Sequence, residues 1–132
     1  MEDPNQKKVM STPDWANTEQ GIEAAKGYLR QGGTVDFYEM ISRCILQEHP
    51  SDPVDFCLRI VRDIMNGTEI TAGADYQPKK VEDNNYMCEK NVNAFLDAWI
   101  LALLHERPGT DLERMQFHRQ YLEGLRGGLG KV

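Results

Sequence analysis

A chain of 132 residues with 21 acidic and 15 basic side chains carries a formal net charge of −6, and no basic stripe interleaves with its aromatics, so phosphate-driven nucleic-acid binding has little to work with. That length suits one domain, or two small helical units sharing a core, able to bury roughly two thirds of the unfolded surface without staples. Cys44, Cys57 and Cys88 form no CxxC pair, residues 1–8 hold no signal-peptide core, and the apolar run 98–104 is too short to span a bilayer, which together predict a soluble protein of a reducing, cytoplasmic setting with no disulfide framework, no metal and no membrane contact.

Residues 1–17, with Pro4, Pro13 and few apolar side chains beyond Val9, Met10 and Trp15, read as an extended N-terminal arm. A tryptophan is wasted there unless something holds it, so Trp15 is expected to anchor the arm onto this domain or onto a neighbour. A short helix starts after Asn17 or Thr18, sets Ile22, Ala25, Tyr28 and Leu29 on one side, and ends at Gly32-Gly33. Thr34 is the expected cap of a second helix, where Phe37, Ile41, Cys44, Ile45 and Glu48 recur at steps of three and four beside Tyr38 and Met40.

The stretch from His49 to Phe56 then stops one helix and starts another. Pro50 biases His49 away from the helical region, Asp52 suits an N-cap and Pro53 a first helical position. Val54, Cys57, Leu58, Val61, Ile64 and Met65 continue the apolar stripe until Asn66-Gly67, so residues 18–67 form a helical hairpin with Phe56 just past its elbow. Residues 68–85, with Gly73, Pro78 and Lys79-Lys80, read as a linker.

The second hairpin, residues 86–126, holds the broadest apolar stripe of the chain: Val92, Phe95, Leu96, Trp99, Ile100, Leu103 and Leu104. It turns at Pro108-Gly109, and Thr110-Asp111-Leu112-Glu113 matches a capping box. Leu112, Met115, His118, Leu122 and Leu125 fall on one face of the last helix, which Gly127-Gly128 is expected to end, leaving 127–132 as a glycine-rich tail. Superposing Pro50 on Pro108 sets Phe37 over Phe95, Ile41 over Trp99, Ile45 over Leu103, Glu48 over Glu106, Val54 over Leu112 and Cys57 over Met115. Any two hairpins with a proline elbow align comparably, so the sequence alone leaves the repeat a hypothesis.

Motifs for chemistry are weak. A GxxxxGK phosphate loop ending at Lys131 would need glycine at Leu125 and a hydroxyl residue after the lysine. His49, His105 and His118 lack ligand spacing and suit helix ends or faces. Cys44 and Cys57 lie on apolar faces, and Glu48-His49 and His105-Glu106 are neighbours that point apart on a helix, so no catalytic residue and no cofactor site is expected.

Tyr28-Leu29, the stripe Phe37, Ile41, Ile45 and the elbow Glu48 to Phe56 resemble the docking and dimerization hairpin shared by the type II regulatory subunit of cAMP-dependent protein kinase and the dumpy-thirty proteins, over about residues 28–65. His49 stands where that family commonly has arginine. The resemblance implies a non-catalytic module in which two hairpins pack as a four-helix bundle and an apolar face receives an amphipathic helix of an anchoring protein. It also implies a setting in the ciliary or flagellar axoneme, with axonemal components as partners, or else a regulatory subunit of an enzyme complex such as a nuclear chromatin-modifying complex.

The expectation is therefore an all-α protein, two helical hairpins forming a four-helix-bundle-like domain plus a short N-terminal helix, acting as a docking or assembly adaptor. Its protein-binding and pairing faces are Phe37, Ile41, Cys44, Ile45, Val54, Phe56, Leu58 and Val61 on one hairpin and Phe95, Trp99 and Leu103 on the other, about the elbow Pro50, Asp52, Pro53. A hairpin cannot bury its stripes alone. The second hairpin, tethered by a short linker, is expected to supply the missing half in cis, with a homodimer as the alternative.

Overall fold

The structure, a computed structural model, describes residues 14–71 and 73–131, with side chains through Arg126. It is all-α. Among the described residues six helices appear in the order α1 Glu19–Arg30, α2 Thr34–Glu48, α3 Pro53–Met65, α4 Lys80–Glu89, α5 Val92–Glu106 and α6 Asp111–Lys131, with 3-10 turns at Asp14–Asn17 and Gln31–Gly33.

Local chemistry accounts for most of these limits. Thr18 caps α1 by accepting the Gly21 amide at 2.9 Å, and a side chain at Gly21 would collide with the Trp15 carbonyl. Asp52 caps α3 through the Asp55 amide at 3.1 Å, with Pro53 in the first turn. Thr110 and Glu113 complete the capping box, Glu113 N donating to Thr110 Oγ1 at 3.1 Å and Thr110 N to Glu113 Oε1 at 3.2 Å.

Four expectations are corrected. Thr34 is the first residue of α2 rather than its cap: left-handed Gly33 holds that place, and the Thr34 hydroxyl donates to the Gln31 carbonyl. The linker ends earlier than residue 85, because α4 already begins at Lys80. Leu112 is 62% exposed and lies off the buried face of α6. Gly127-Gly128 does not end α6, which runs to Lys131; glycine weakens a helix by about 1 kcal/mol but stops it only where the chain turns left-handed. Of the expected arm, residues 1–13 lie outside the described residues.

The repeat is present in the backbone. α2 and α5 are both 15 residues long and start 58 positions apart, as do α3 and α6. Each of α2 and α5 is entered through a left-handed residue, Gly33 or Asn91, and left through another, His49 (φ 46°, ψ 56°) or Arg107 (φ 46°, ψ 57°). Tyr28 and Tyr86 fall in the same frame, and each bonds the elbow of the opposite half: Tyr28 Oη donates to Pro108 O at 2.7 Å and Tyr86 Oη to Pro50 O at 2.6 Å.

The two halves share one core. Ile41, Cys44 and Ile45 of α2, Cys57, Leu58 and Val61 of α3, Val92, Trp99 and Leu103 of α5 and Leu122 of α6 are fully buried together, each large side chain contributing roughly 1.5–3 kcal/mol by its removal from water. The most extensive helix contact is between α3 and α6. Arg126–Asp55 at 2.9 Å and Arg62–Glu123 at 3.0 Å set these two antiparallel, although half-exposed pairs of this kind add little stability. Phe37 meets Trp99 edge-to-face at 5.8 Å, so the two apolar stripes do meet within one chain.

Candidate functional site

An open, largely apolar groove lies on α2, facing α5. Val35 is 45% exposed there because its side chain falls off the core-facing stripe. Leu29 closes one end, Thr34, Tyr38, Glu39, Ser42 and Arg43 follow along α2, and Ile100 comes across from α5, enclosing about 440 Å³. Ser42 and Ile100 hold equivalent positions in the repeat and both line the groove, where the second half touches the first. Glu39 and Arg43, exposed one turn apart, place opposite charges on its edge. The Tyr38 hydroxyl is buried without a hydrogen-bond partner, and burial raises its pKa far above the ordinary phenol. A concave apolar strip edged by both charges can take one face of an amphipathic helix.

A second cluster sits at the first elbow. Asp83 of α4 accepts from Tyr76 Oη at 2.6 Å and from the Lys79 amide at 3.0 Å, and its other oxygen lies 2.8 Å from His49 Nε2. The Tyr76 hydrogen bond, then the Lys79 amide and His49, hold the carboxyl down to about 2. The His49 ring stacks on Tyr86 at 4.4 Å, and burial pushes the Tyr86 phenol up to about 12. Both Asp83 oxygens are thus engaged in holding linker, α4 and elbow together, so the cluster works as a latch. His49 stands at the helix end expected of it, but held by Asp83 and Tyr86.

At the centre Trp99 Nε1 donates to His118 Nδ1 at 2.9 Å, leaving the imidazole proton on Nε2. Burial, with Arg114 adding to it, lowers the His118 pKa to about 4. Without this partner the indole N–H would be an orphan donor in the core. Burial raises the Cys44 and Cys57 thiols, which keeps them in the unreactive thiol form. Among the described residues no three histidine, cysteine or acidic side chains gather as a metal-binding group, and no helix is long and apolar enough to cross a membrane.

Of the residues expected on pairing faces, Ile41, Cys44, Ile45, Leu58, Val61, Trp99 and Leu103 are buried inside the single chain, and Phe37, Val54, Phe56 and Phe95 pack half-buried around them. Their pairing is with the other half of the same molecule. Of the apolar side chains of the groove, Ile100 belongs to the stripe read on α5, whereas the exposed Val35 escaped the sequence reading because it lies beside the main stripe of α2; an apolar residue just off a complete stripe was the available signal. Trp15 is half-buried, with the Arg107 guanidinium 5.9 Å from its ring.

No family model matches this chain, and none of the curated proteins or solved structures does.

Proposed function

We propose that this chain is a non-catalytic docking adaptor whose α2–α5 groove receives the apolar stripe of an amphipathic helix from a partner protein. The observation that carries this reading is the groove itself, apolar, open at Val35 and placed where the two halves meet. The likeness of residues 28–65 to a docking and dimerization hairpin supports it, and the internal repeat adds to that support by giving one chain the paired platform that two hairpins otherwise provide. The same likeness leads to the ciliary or flagellar axoneme as the setting.

The test uses the whole chain and the variants Val35→Asp and Val35→Lys, which place a charge of either sign in the groove at an exposed side chain outside the buried core. Retention on salt-washed axonemes, and affinity for a helical peptide of any axonemal protein retained with it, are expected to fall at least about tenfold, the weight of one lost apolar anchor. Melting curves should stay close to wild type. Equal retention and affinity across wild type and both variants would defeat the proposal.

A further inference from the structure

Where α3 stops at Met65, the chain turns back and covers the outer crevice between α2 and α3. Glu69, Ile70 and Thr71 line a hollow of about 360 Å³ there with Glu48, Arg59 and Asp63. Residues 68–71 form no helix, and Ile70 is half-buried against the core. Gly73, left-handed at φ 83°, then passes so close to α2 that a Cβ on it would stand 3.1 Å from the Cys44 amide nitrogen, a place that suits glycine alone. Tyr76 and Lys79 fasten the segment to Asp83. The molecule thus displays what such a crevice accepts: an aliphatic side chain on a backbone outside any helix, with glycine at the third residue after it.

The repeat sets a second crevice of this kind between α5 and α6. Ala102, His105, Glu106, Phe117, Gln120 and Tyr121 enclose about 440 Å³ there, and no described residue from outside these two helices lines it. In the frame of the repeat Ala102 holds the place of Cys44, Glu106 that of Glu48, Phe117 that of Arg59 and Tyr121 that of Asp63. The missing cover has a cause in the backbone. Glu123 is the counterpart of Met65, yet α6 runs on past it to Lys131, so the chain does not fold back at the equivalent point.

Side chains then decide what the second crevice prefers. Phe117 and Tyr121, stacked at 5.9 Å, stand where the first crevice has Arg59 and Asp63, which makes a better seat for an aliphatic group. Glu106, 61% exposed and 3.9 Å from His105, stands on the rim of a chain whose net charge is −6. The arginine that accompanies Glu69 in the first crevice is absent from the second. A basic residue beside the aliphatic one is therefore favoured, and an acidic one is not.

We propose that the α5–α6 crevice receives a non-helical segment of a partner protein, with an aliphatic residue on the Phe117 and Tyr121 rings, a basic residue next to it at Glu106, and a glycine at the third residue after the aliphatic one, passing Ala102. The site shares no lining residue with the α2–α5 groove and does not depend on what fills that groove.

The test probe is a synthetic peptide of residues 67–75 of this chain carrying Glu69→Lys, titrated into the full-length protein and followed by amide resonances. Saturable shifts are expected at Ala102, Glu106 and Tyr121, with Gly73 unmoved. Adding Ile70→Asp to the peptide should weaken binding at least about tenfold, the weight of one aliphatic side chain. Restoring the native Glu69 should weaken it about threefold, as an exposed charge contact does when its sign is wrong. In the protein variant Glu106→Lys, altered at an exposed side chain, the order of the native-Glu69 and Glu69→Lys peptides should invert. No saturable shift at these amides, binding unweakened by Ile70→Asp, an order that Glu106→Lys leaves unchanged, or a shift at Gly73 showing displacement of the chain's own linker would each overturn the proposal. The same shifts on concentrating the protein alone would overturn it in favour of a second copy.

Discussion

The hydroxyl of Tyr28, in the first helix, donates a 2.7 Å hydrogen bond to the carbonyl of Pro108, in the last elbow. Tyr86 returns the bond to Pro50 at 2.6 Å. Each half thereby satisfies a carbonyl freed where a helix of the other half stops, which neither half could do alone. The clasp is reciprocal, and it gives the duplication an energetic meaning beyond likeness of shape.

Tyr28→Phe and Tyr86→Phe should each lower stability by about 1 kcal/mol, the net worth of one such bond. The two bonds lie at opposite elbows, so the double variant should lose the sum to within about 0.5 kcal/mol. Urea midpoints of the four proteins measure this. A double variant as stable as wild type would remove the clasp from the account.

Pairing in cis predicts that the whole chain sediments as a monomer. The isolated segment 18–67 would leave Ile41, Ile45, Leu58 and Val61, all fully buried in the whole chain, without their cover, and should unfold or associate with itself. Ile41→Glu should cost at least ~4 kcal/mol in the full chain by placing a charge in that core. A dimeric full chain together with a stable dimeric fragment would refute the cis arrangement.

His118 gives stability a pH dependence. Its folded pKa, about 4, lies below the ordinary 6.5, so the unfolded state binds the extra proton between those values and stability falls as pH drops from 6.5 towards 4. The loss should total about 3 kcal/mol, from roughly 1.4 kcal/mol per unit. Above 6.5 this contribution is constant. Denaturation midpoints at pH 8, 6 and 4.5 for wild type and His118→Gln check it: the variant, less stable at pH 8, should show a shallower decline through this window, and an equal decline would clear His118.

Asp52→Ala should cost about 1 kcal/mol through loss of the α3 cap, whose bond to the Asp55 amide is 3.1 Å long. Asp52 is exposed and lies outside the α2–α5 groove. Partner binding should therefore hold while the melting temperature drops. Weakened binding with an unchanged melting curve would make Asp52 a contact residue instead.

What could be read from sequence was whatever local chemistry decides. Stripes at Ile41, Ile45, Trp99 and Leu103, the Asp52 and Thr110 caps and both proline elbows are short-range patterns, and the structure places them as expected. Helix α4 escaped because Lys80–Glu89 has no apolar stripe of its own; Asp83 and Tyr86 tie it to the elbow 34 and 36 residues away in sequence. Left-handed Gly33 displaced Thr34 from its capping position, and its neighbour Gly32, also left-handed, makes room for a close contact from far along the chain, since a side chain there would strike the guanidinium of Arg114. Val35 and Ile100 become a groove only once α2 and α5 are set beside each other.

The two elbows share one left-handed backbone at His49 and Arg107 but are fastened by unlike chemistry. The first hangs on the Asp83 carboxylate, whose depressed pKa means its share of the fastening persists until strong acid, fading as pH falls from about 4 towards 2. The second involves the Trp15 ring over Arg107, an attraction that needs no titrating anion. One elbow therefore keeps a fastening that only strong acid discharges, and the other keeps one supplied by a residue ahead of α1, while Tyr86 and Tyr28 hold both regardless.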